Sequence, residues 1–120
     1  MSALPVSFVG GIRFGFNLRS LLGLQPKGLA VFLEFDKPLE AVGTQDYIGY
    51  LQVQFLPTAG TRFLGSGTVD FDKRTLVFVG EDDYAHFDGS IDPAVPEIKG
   101  TIRIKNVRDT HTITFRPFPA

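Results

Sequence analysis

The sequence predicts an all-β protein, either an antiparallel β-barrel or a tightly coiled β-sandwich of about eight strands. Apolar and polar residues alternate with a period of two through much of the chain, which is typical of strands with one face on a core and one in water. Turn-forming residues separate these runs at short intervals, and no long window has the 3.6-residue period of a capped helix. We expect residues 1–120 to form one domain.

The first half of the chain contains three runs that fit strands. Residues 12–18 place large apolar side chains on one face and arginine, glycine and asparagine on the other. Residues 29–35 are apolar on both faces as far as Phe32, which predicts a central strand whose second face is covered. Residues 48–56 place apolar side chains on one face and Tyr50 on the other. Each run therefore predicts a strand with a core-facing side.

Two glycines favour the barrel over the sandwich. In residues 61–71, Gly65 and Gly67 share a face with apolar side chains. Glycine in mid-strand costs stability unless the strand must bend or another backbone must come close. Deliberate bending is required by a barrel corner or by a strongly coiled sandwich, and together with the meander-like spacing of the turns it favours the barrel.

Short polar turns and irregular segments connect the strands. Residues 72–74 (Asp-Lys-Arg) predict a tight hairpin turn, and residues 106–109 have the same character. A single helical turn is compatible with residues 20–25 or 38–43. The C-terminal residues 115–120 contain two prolines, which cannot extend a central strand. We expect this tail to lie along the domain or against a neighbour.

The most conspicuous polar stretch is residues 80–92, which hold five carboxylates and His86. A calcium loop needs roughly six to eight converging oxygens, whereas Asp82 and Asp83 are adjacent and would diverge on an extended backbone. Zn²⁺ is disfavoured because the chain has two histidines and no cysteine. We interpret the stretch as a solvated strand with turns, and keep a weak Ca²⁺ site and a catalytic site as less favoured alternatives. We predict no metal and no cofactor.

His111 and Tyr50 are the candidate ligand contacts. His111 shares the presumed inner face of its strand with Ile113 and Phe115. The interpretation we favour for it is a half-buried histidine that bonds a backbone carbonyl, and the alternative is a polar contact inside a ligand cavity. Tyr50 lies on the polar face of its strand. No nucleophile motif such as G-x-S-x-G accompanies them, so no catalytic residue is predicted.

Residues 18–24 form an apolar segment beside a turn. Loops are usually polar, so an apolar loop needs cover. We interpret the segment as a cap on one end of the core, and the alternative is a hydrophobic tip that contacts a partner subunit or a membrane surface. Leu21, Leu22 and Leu24 are therefore the candidate partner contacts. The net charge of −1 opposes association little, and we expect a homo-oligomer.

The composition excludes several classes of protein. The chain has no cysteine, which rules out disulfides, thiolate metal sites and a cysteine nucleophile. It lacks the basic stripe of a nucleic-acid binder, and no apolar run reaches the ~20 residues of a membrane span. The N-terminus does not resemble a signal peptide. We therefore expect a soluble, cytoplasmic protein that binds no nucleic acid.

Three function classes remain, and fold alone does not choose between them. We favour a non-catalytic interaction or assembly module, in which β-edges or the leucine-rich segment meet a partner. The alternative is a carrier of a small apolar ligand inside the barrel, and the third class is a barrel enzyme that uses His111 or His86. The twelve phenylalanines favour the first class, because a barrel filled with phenyl rings leaves little room for a ligand.

Overall fold

Eight antiparallel strands close into one barrel in the computed structural model, which describes residues 4–13, 28–56, 59–105 and 110–118. Each strand pairs with the next along the chain, and the last returns to the first. The strands are β1 (Ser7–Arg13), β2 (Gly28–Phe35), β3 (Thr44–Leu56), β4 (Ala59–Asp70), β5 (Thr75–Gly80), β6 (Ala85–Asp92), β7 (Glu97–Ile104) and β8 (His111–Pro117). The all-β prediction is confirmed, and the barrel is the correct one of its two alternatives.

The barrel interior is filled by apolar side chains from all eight strands. Inward and outward positions alternate along the strands, and most of the inward aliphatic and aromatic residues are buried, with Phe63 and Ile104 partly buried against them. Four phenylalanines are almost completely enclosed, and two of them, Phe87 and Phe115, meet edge-on with 5.3 Å between their ring centroids. The described part of the interior is therefore a packed core.

One end of the barrel, which we call the lower end, is closed by residues outside the strands. Leu4 and Leu39 are buried there, and the Leu4 amide donates to the Leu39 carbonyl at 2.8 Å. Phe71, which follows β4, is buried with them. The opposite end is the upper end. The predicted strand residues 14–18 and the predicted turn at residues 106–109 lie outside the described residues, as do residues 19–27 and 57–58.

The seam between β8 and β1 completes the closure. The two strands pair through Phe8–Pro117 and the adjacent pair, and the Phe118 amide then donates to the Ser7 carbonyl at 2.9 Å. The Phe118 ring lies edge-on against Phe32 of β2, with 5.3 Å between centroids. Residues 115–117 belong to β8, so the tail lies along the domain as far as Phe118, which is one of its two predicted placements. The Phe118 ring covers Phe32 on the second face of β2, for which cover was predicted without a covering element.

The predicted hairpin turn at residues 72–74 is confirmed. The Asp70 side chain accepts hydrogen bonds from the Asp72 amide at 2.9 Å and the Lys73 amide at 3.0 Å. Arg74 completes the turn with a positive φ of 58°. An Asp side chain that bonds the next amides is a common way to fix such a turn.

Two local predictions are wrong. Asp82 and Asp83 do not lie on an extended backbone: residues Glu81–Asp83 form a 3₁₀ turn, in which both aspartates have positive φ values of 57° and 58°. Residues 38–43 form no helical turn: residues 38 and 39 are irregular, Glu40 forms an isolated bridge and residues 41–43 form bends. The other candidate for a helical turn, residues 20–25, lies outside the described residues.

Candidate functional site

An apolar groove runs along the outer face of β4, between β3 and β5. It holds two adjoining recesses, of about 540 Å³ and 480 Å³, which share Ile48, Ser66 and Val79 along their borders. Val77 lines the recess nearer the lower end, and Leu64 lines the recess nearer the upper end. We call the surface formed by these five residues the outer groove.

The strand register places the residues of the outer groove side by side. Ile48 of β3 is opposite Ser66 of β4, and Ser66 is opposite Val79 of β5. Val77 is opposite Thr68 in the same way. Serine is much smaller than the isoleucine and valine that flank it, so β4 forms the floor of the groove and its neighbours form the walls.

Two glycines bring β4 close to β5 beneath this floor. A Cβ on Gly67 would overlap the Val77 carbonyl oxygen and would stand 2.6 Å from the Tyr47 hydroxyl. A Cβ on Gly65 would overlap the Val79 carbonyl oxygen. Both glycines line the recesses. The two roles predicted for these glycines were strand bending and the close approach of a neighbouring strand, and the structure shows the close approach.

The outer groove exposes apolar side chains of its floor and its walls to an unusual degree. Ile48 is 62% exposed and Leu64 is 52% exposed, and Val77 and Val79 are each exposed by more than a third. The outward positions of β6, β7 and β8 are polar by contrast, and they include Asp88, Ser90, Lys99, Thr101, Arg103, Thr112 and Thr114. A contiguous apolar patch with a polar surround is typical of an interaction site.

Carboxylates stand at both ends of the outer groove. Asp36 and Asp46 line its lower end together with Lys37, and Glu81 lines its upper end. The Asp46 carboxylate is held by the Thr68 hydroxyl, which donates to it at 2.8 Å. No ion pair within the described part of the chain involves these carboxylates. The ends of the groove therefore carry three negative charges and one positive charge.

Tyr50 lies on the outer wall next to the groove. It is opposite Leu64 in the register of β3 and β4. The Arg62 guanidinium lies over its ring, 4.1 Å from the centroid, and also donates to the Gln52 side-chain oxygen at 3.3 Å. Arg62, the basic residue of β4, therefore already contacts two side chains of β3. The role of Tyr50 as a ligand contact stays a prediction.

His111 lies on the inner wall near the upper end, where it is partly buried. It is opposite Ile102 of β7 and begins the inward series that continues with Ile113. Because Tyr50 faces outward and His111 faces inward, the structure does not bring these two residues into one site. The role of His111 as a ligand contact stays a prediction.

The acidic stretch forms a turn and an outward polar strand face. In β6, Ala85 and Phe87 are buried, whereas His86 and Asp88 face outward, which confirms the interpretation of this segment as a half-solvated strand. The His86 Nε2 atom lies 3.3 Å from Asp83 Oδ1 across the turn. No group of three His, Asp or Glu side chains among the described residues is arranged to hold a metal ion.

Leu21, Leu22 and Leu24, the predicted partner contacts, lie outside the described residues. Their role stays a prediction. No helix within the described ranges is long and apolar enough to cross a membrane.

Comparison of the chain with protein-family models finds no match, and comparison with curated proteins finds none either. The geometry of the chain itself is therefore the basis for a function.

The outer groove was not predicted from the sequence, although the sequence contains a signal for it. Ile48 and Leu64 are large apolar residues at positions where the alternation calls for polar side chains. Residues 76–79 are apolar on both faces, yet only Leu76 and Phe78 point inward. An apolar residue at an outward position is common singly. Only the pairing of three strands shows that these residues are neighbours.

Proposed function

We propose that the protein is a non-catalytic interaction module that binds a partner protein through the outer groove. The observation that carries this proposal is the exposure of Ile48 and Leu64 beside two open recesses. Soluble proteins seldom leave such a patch uncovered unless it binds something. The packing of the barrel supports the same conclusion, because its described interior is occupied by core side chains.

The alternative functions have less support in the geometry. A carrier needs an internal chamber, whereas phenylalanines such as Phe78 and Phe87 fill the described interior. An enzyme that used His111 or His86 would need a cleft for its substrate beside that histidine, whereas neither residue lines a recess of the outer groove. A protein partner needs only the apolar surface that the groove offers.

Selection from a displayed library of random peptides tests the proposal. The parent, the double variant Ile48→Ser/Leu64→Ser and the control Val42→Ser/Val95→Ser would be compared. Val42 and Val95 are 58% and 61% exposed and do not line the groove, so the control removes equally exposed apolar side chains elsewhere. We expect enriched peptides that bind the parent and the control but not the groove variant. Enrichment that is equal on all three proteins, or absent from the parent, contradicts the proposal.

Self-association is a separate part of the proposal and has its own measurement. Light scattering coupled to size exclusion at about 100 µM registers an association free energy of roughly −5 to −6 kcal/mol. We expect an oligomer in the parent that dissociates in the variant Leu21→Asp/Leu22→Asp. A monomeric parent contradicts the homo-oligomer, and an oligomer that survives the substitution places the contact elsewhere on the barrel.

A further inference from the structure

We infer that the outer groove takes an extended peptide with apolar side chains at positions i and i+2 and a Lys or Arg on either side of them. This inference rests on the proposed function and names the chemistry of the partner. It is carried by the shape of the groove, by the spacing of its two recesses and by the carboxylates at its ends.

The shape of the outer groove fits an extended chain. The floor runs along β4 from Thr68 to Leu64, a length of about 13 Å at the rise of a β-strand. Roughly four or five extended residues cover that distance. Small-molecule sites enclose most of the ligand surface, whereas both recesses here open onto the outer wall and merge at Ser66. A strand-like peptide can lie along this open floor.

The two recesses set the spacing of the side chains that enter them. One recess extends along β4 from Ser66 to Thr68 and the other from Ser66 to Leu64, so their midpoints lie two residues, or roughly 7 Å, apart. In an extended peptide, alternate side chains point to the same face, about 7 Å apart. The side chains at i and i+2 therefore reach the two recesses, while the residue between them points to solvent. The apolar walls favour aliphatic or aromatic side chains at both positions.

The charges at the ends of the outer groove determine which residues of the bound peptide flank its two apolar side chains. Asp36 and Asp46 outnumber Lys37 at the lower end, and Glu81 stands at the upper end beside Asp82. A peptide with a base at each end meets opposite charge at both places. Rim charges of this kind steer association and set the choice of partner.

The same charges disfavour a second copy as the occupant. A two-fold axis can place two grooves face to face with their directions parallel or opposed. When they are parallel, Glu81 meets Glu81; when they are opposed, Glu81 meets Asp36 and Asp46. Like charges placed opposite one another weaken an interface, so a basic peptide fits the groove better than another barrel does.

Three synthetic peptides test the inference by fluorescence anisotropy. The first has apolar residues at i and i+2 and lysine ends. The second has the same apolar core with glutamate ends, and the third has lysine ends around a serine core. We expect the first to bind the parent about three- to tenfold more tightly than the second at low salt, with the ratio falling as salt screens the rim charges. The third peptide should bind at least tenfold more weakly than the first, because the recesses then gain no apolar contact.

Two sets of variants assign the effect to the groove. Asp46→Asn/Glu81→Gln should remove the preference for lysine ends, whereas Asp92→Asn/Glu97→Gln, which deletes two charges on the β6–β7 wall, should retain it. Ile48→Ser/Leu64→Ser should weaken the first peptide at least tenfold. Circular dichroism melting of each variant confirms that its fold is retained.

The outcomes separate the inference from the proposed function. Equal or tighter binding of the glutamate-ended peptide, or binding that the groove variants leave unchanged, overturns the inference. The library selection could yield peptides that bind through the outer groove but lack the i and i+2 apolar spacing or the basic ends. That result would overturn the inference while the proposed function stands. An oligomer of the parent that dissociates on Ile48→Ser/Leu64→Ser also overturns it, because a second copy is then the occupant.

Discussion

The hydroxyl of Tyr47 on β3 donates a hydrogen bond of 2.7 Å to the backbone carbonyl of Val77 on β5, across the intervening strand β4. The ring can pass over β4 because the residue opposite Tyr47 in register is Gly67. Tyr47 is only 3% exposed, while the Val77 side chain faces the outer groove. This contact therefore ties the core of the barrel to a wall of the candidate site.

Tyr47→Phe should destabilise the protein by about 0.5–1.5 kcal/mol, the usual net value of one hydrogen bond. The ring and its edge-on contact with Phe35, at 4.9 Å between centroids, remain in place. Urea denaturation measures the change in the free energy of unfolding. Tyr50→Phe is the matched control, because it removes a hydroxyl from the outer wall and leaves a ring under Arg62. Equal losses in the two variants would show that the bond to Val77 contributes nothing specific.

The stability of the protein should fall at alkaline pH through Tyr47. Burial raises the pKa of this phenol above its ordinary value of 10.0, because desolvation disfavours the phenolate. Above about pH 10 the unfolded chain loses a proton that the native state keeps, so the free energy of unfolding falls by up to about 1.4 kcal/mol per pH unit. Below that pH, the contribution of the protonated Tyr47 phenol to the free energy of unfolding is fully present.

Comparison of the parent with Tyr47→Phe isolates this effect from the titration of lysines. The difference in free energy of unfolding between the two proteins should be constant below pH ~10 and should shrink above it. A difference that stays constant into the alkaline range would mean that Tyr47 ionises as readily in the native state as in the unfolded chain.

Gly67→Ala should cost about 1–3 kcal/mol, the usual penalty of overpacking. The added Cβ would overlap the Val77 carbonyl and press on the Tyr47 hydroxyl, so β4 and β5 would have to separate under the groove. Thermal denaturation measures the effect, and Ser66→Ala, one residue away on the outer face, is the control. If the alanine variant melted within about a degree of the parent, the close approach of β5 would not depend on glycine at this position.

The alternation of side chains made much of the fold predictable from sequence, because each strand buries one face. The inward positions of Leu51, Phe87 and Phe115 follow directly from that period. The alternation did not predict the backbone conformation of Asp82 and Asp83, since a 3₁₀ turn with two positive φ values depends on how β5 and β6 are joined.

The outer groove was not predictable in the same way. Its residues are separated by up to 31 positions in the chain, from Ile48 to Val79, and become neighbours only through the register of β3, β4 and β5. Alternation assigns a residue to a face of its own strand. It does not reveal which outward residues of other strands will stand beside it.

Phe118→Ala should loosen the seam between β1 and β8. The Phe118 ring covers Phe32, and its amide bonds Ser7 where the two strands meet. Loss of an aromatic pair costs about 0.5–1.5 kcal/mol beyond the area it buries. Amide hydrogen exchange in β1 and β8 should accelerate, while exchange in β4 should change little. Val95→Ala, at an exposed site in the β6–β7 turn, is the control, and equal exchange rates in both variants would contradict a role for Phe118 in the seam.

Apolar probes should not enter the barrel of the parent, but should enter a variant with a hollowed core. Phe78 is completely buried, and truncation to alanine typically costs about 3–5 kcal/mol because a cavity remains. Cavities lined by aliphatic and aromatic groups stay dry and accept small apolar molecules such as benzene. Benzene should therefore raise the melting temperature of Phe78→Ala and leave that of the parent unchanged. Phe87→Leu, which removes less volume, provides a second core variant if the alanine variant does not fold. Stabilisation of the parent by benzene would reveal internal space in the native barrel, and it would favour the carrier over the interaction module.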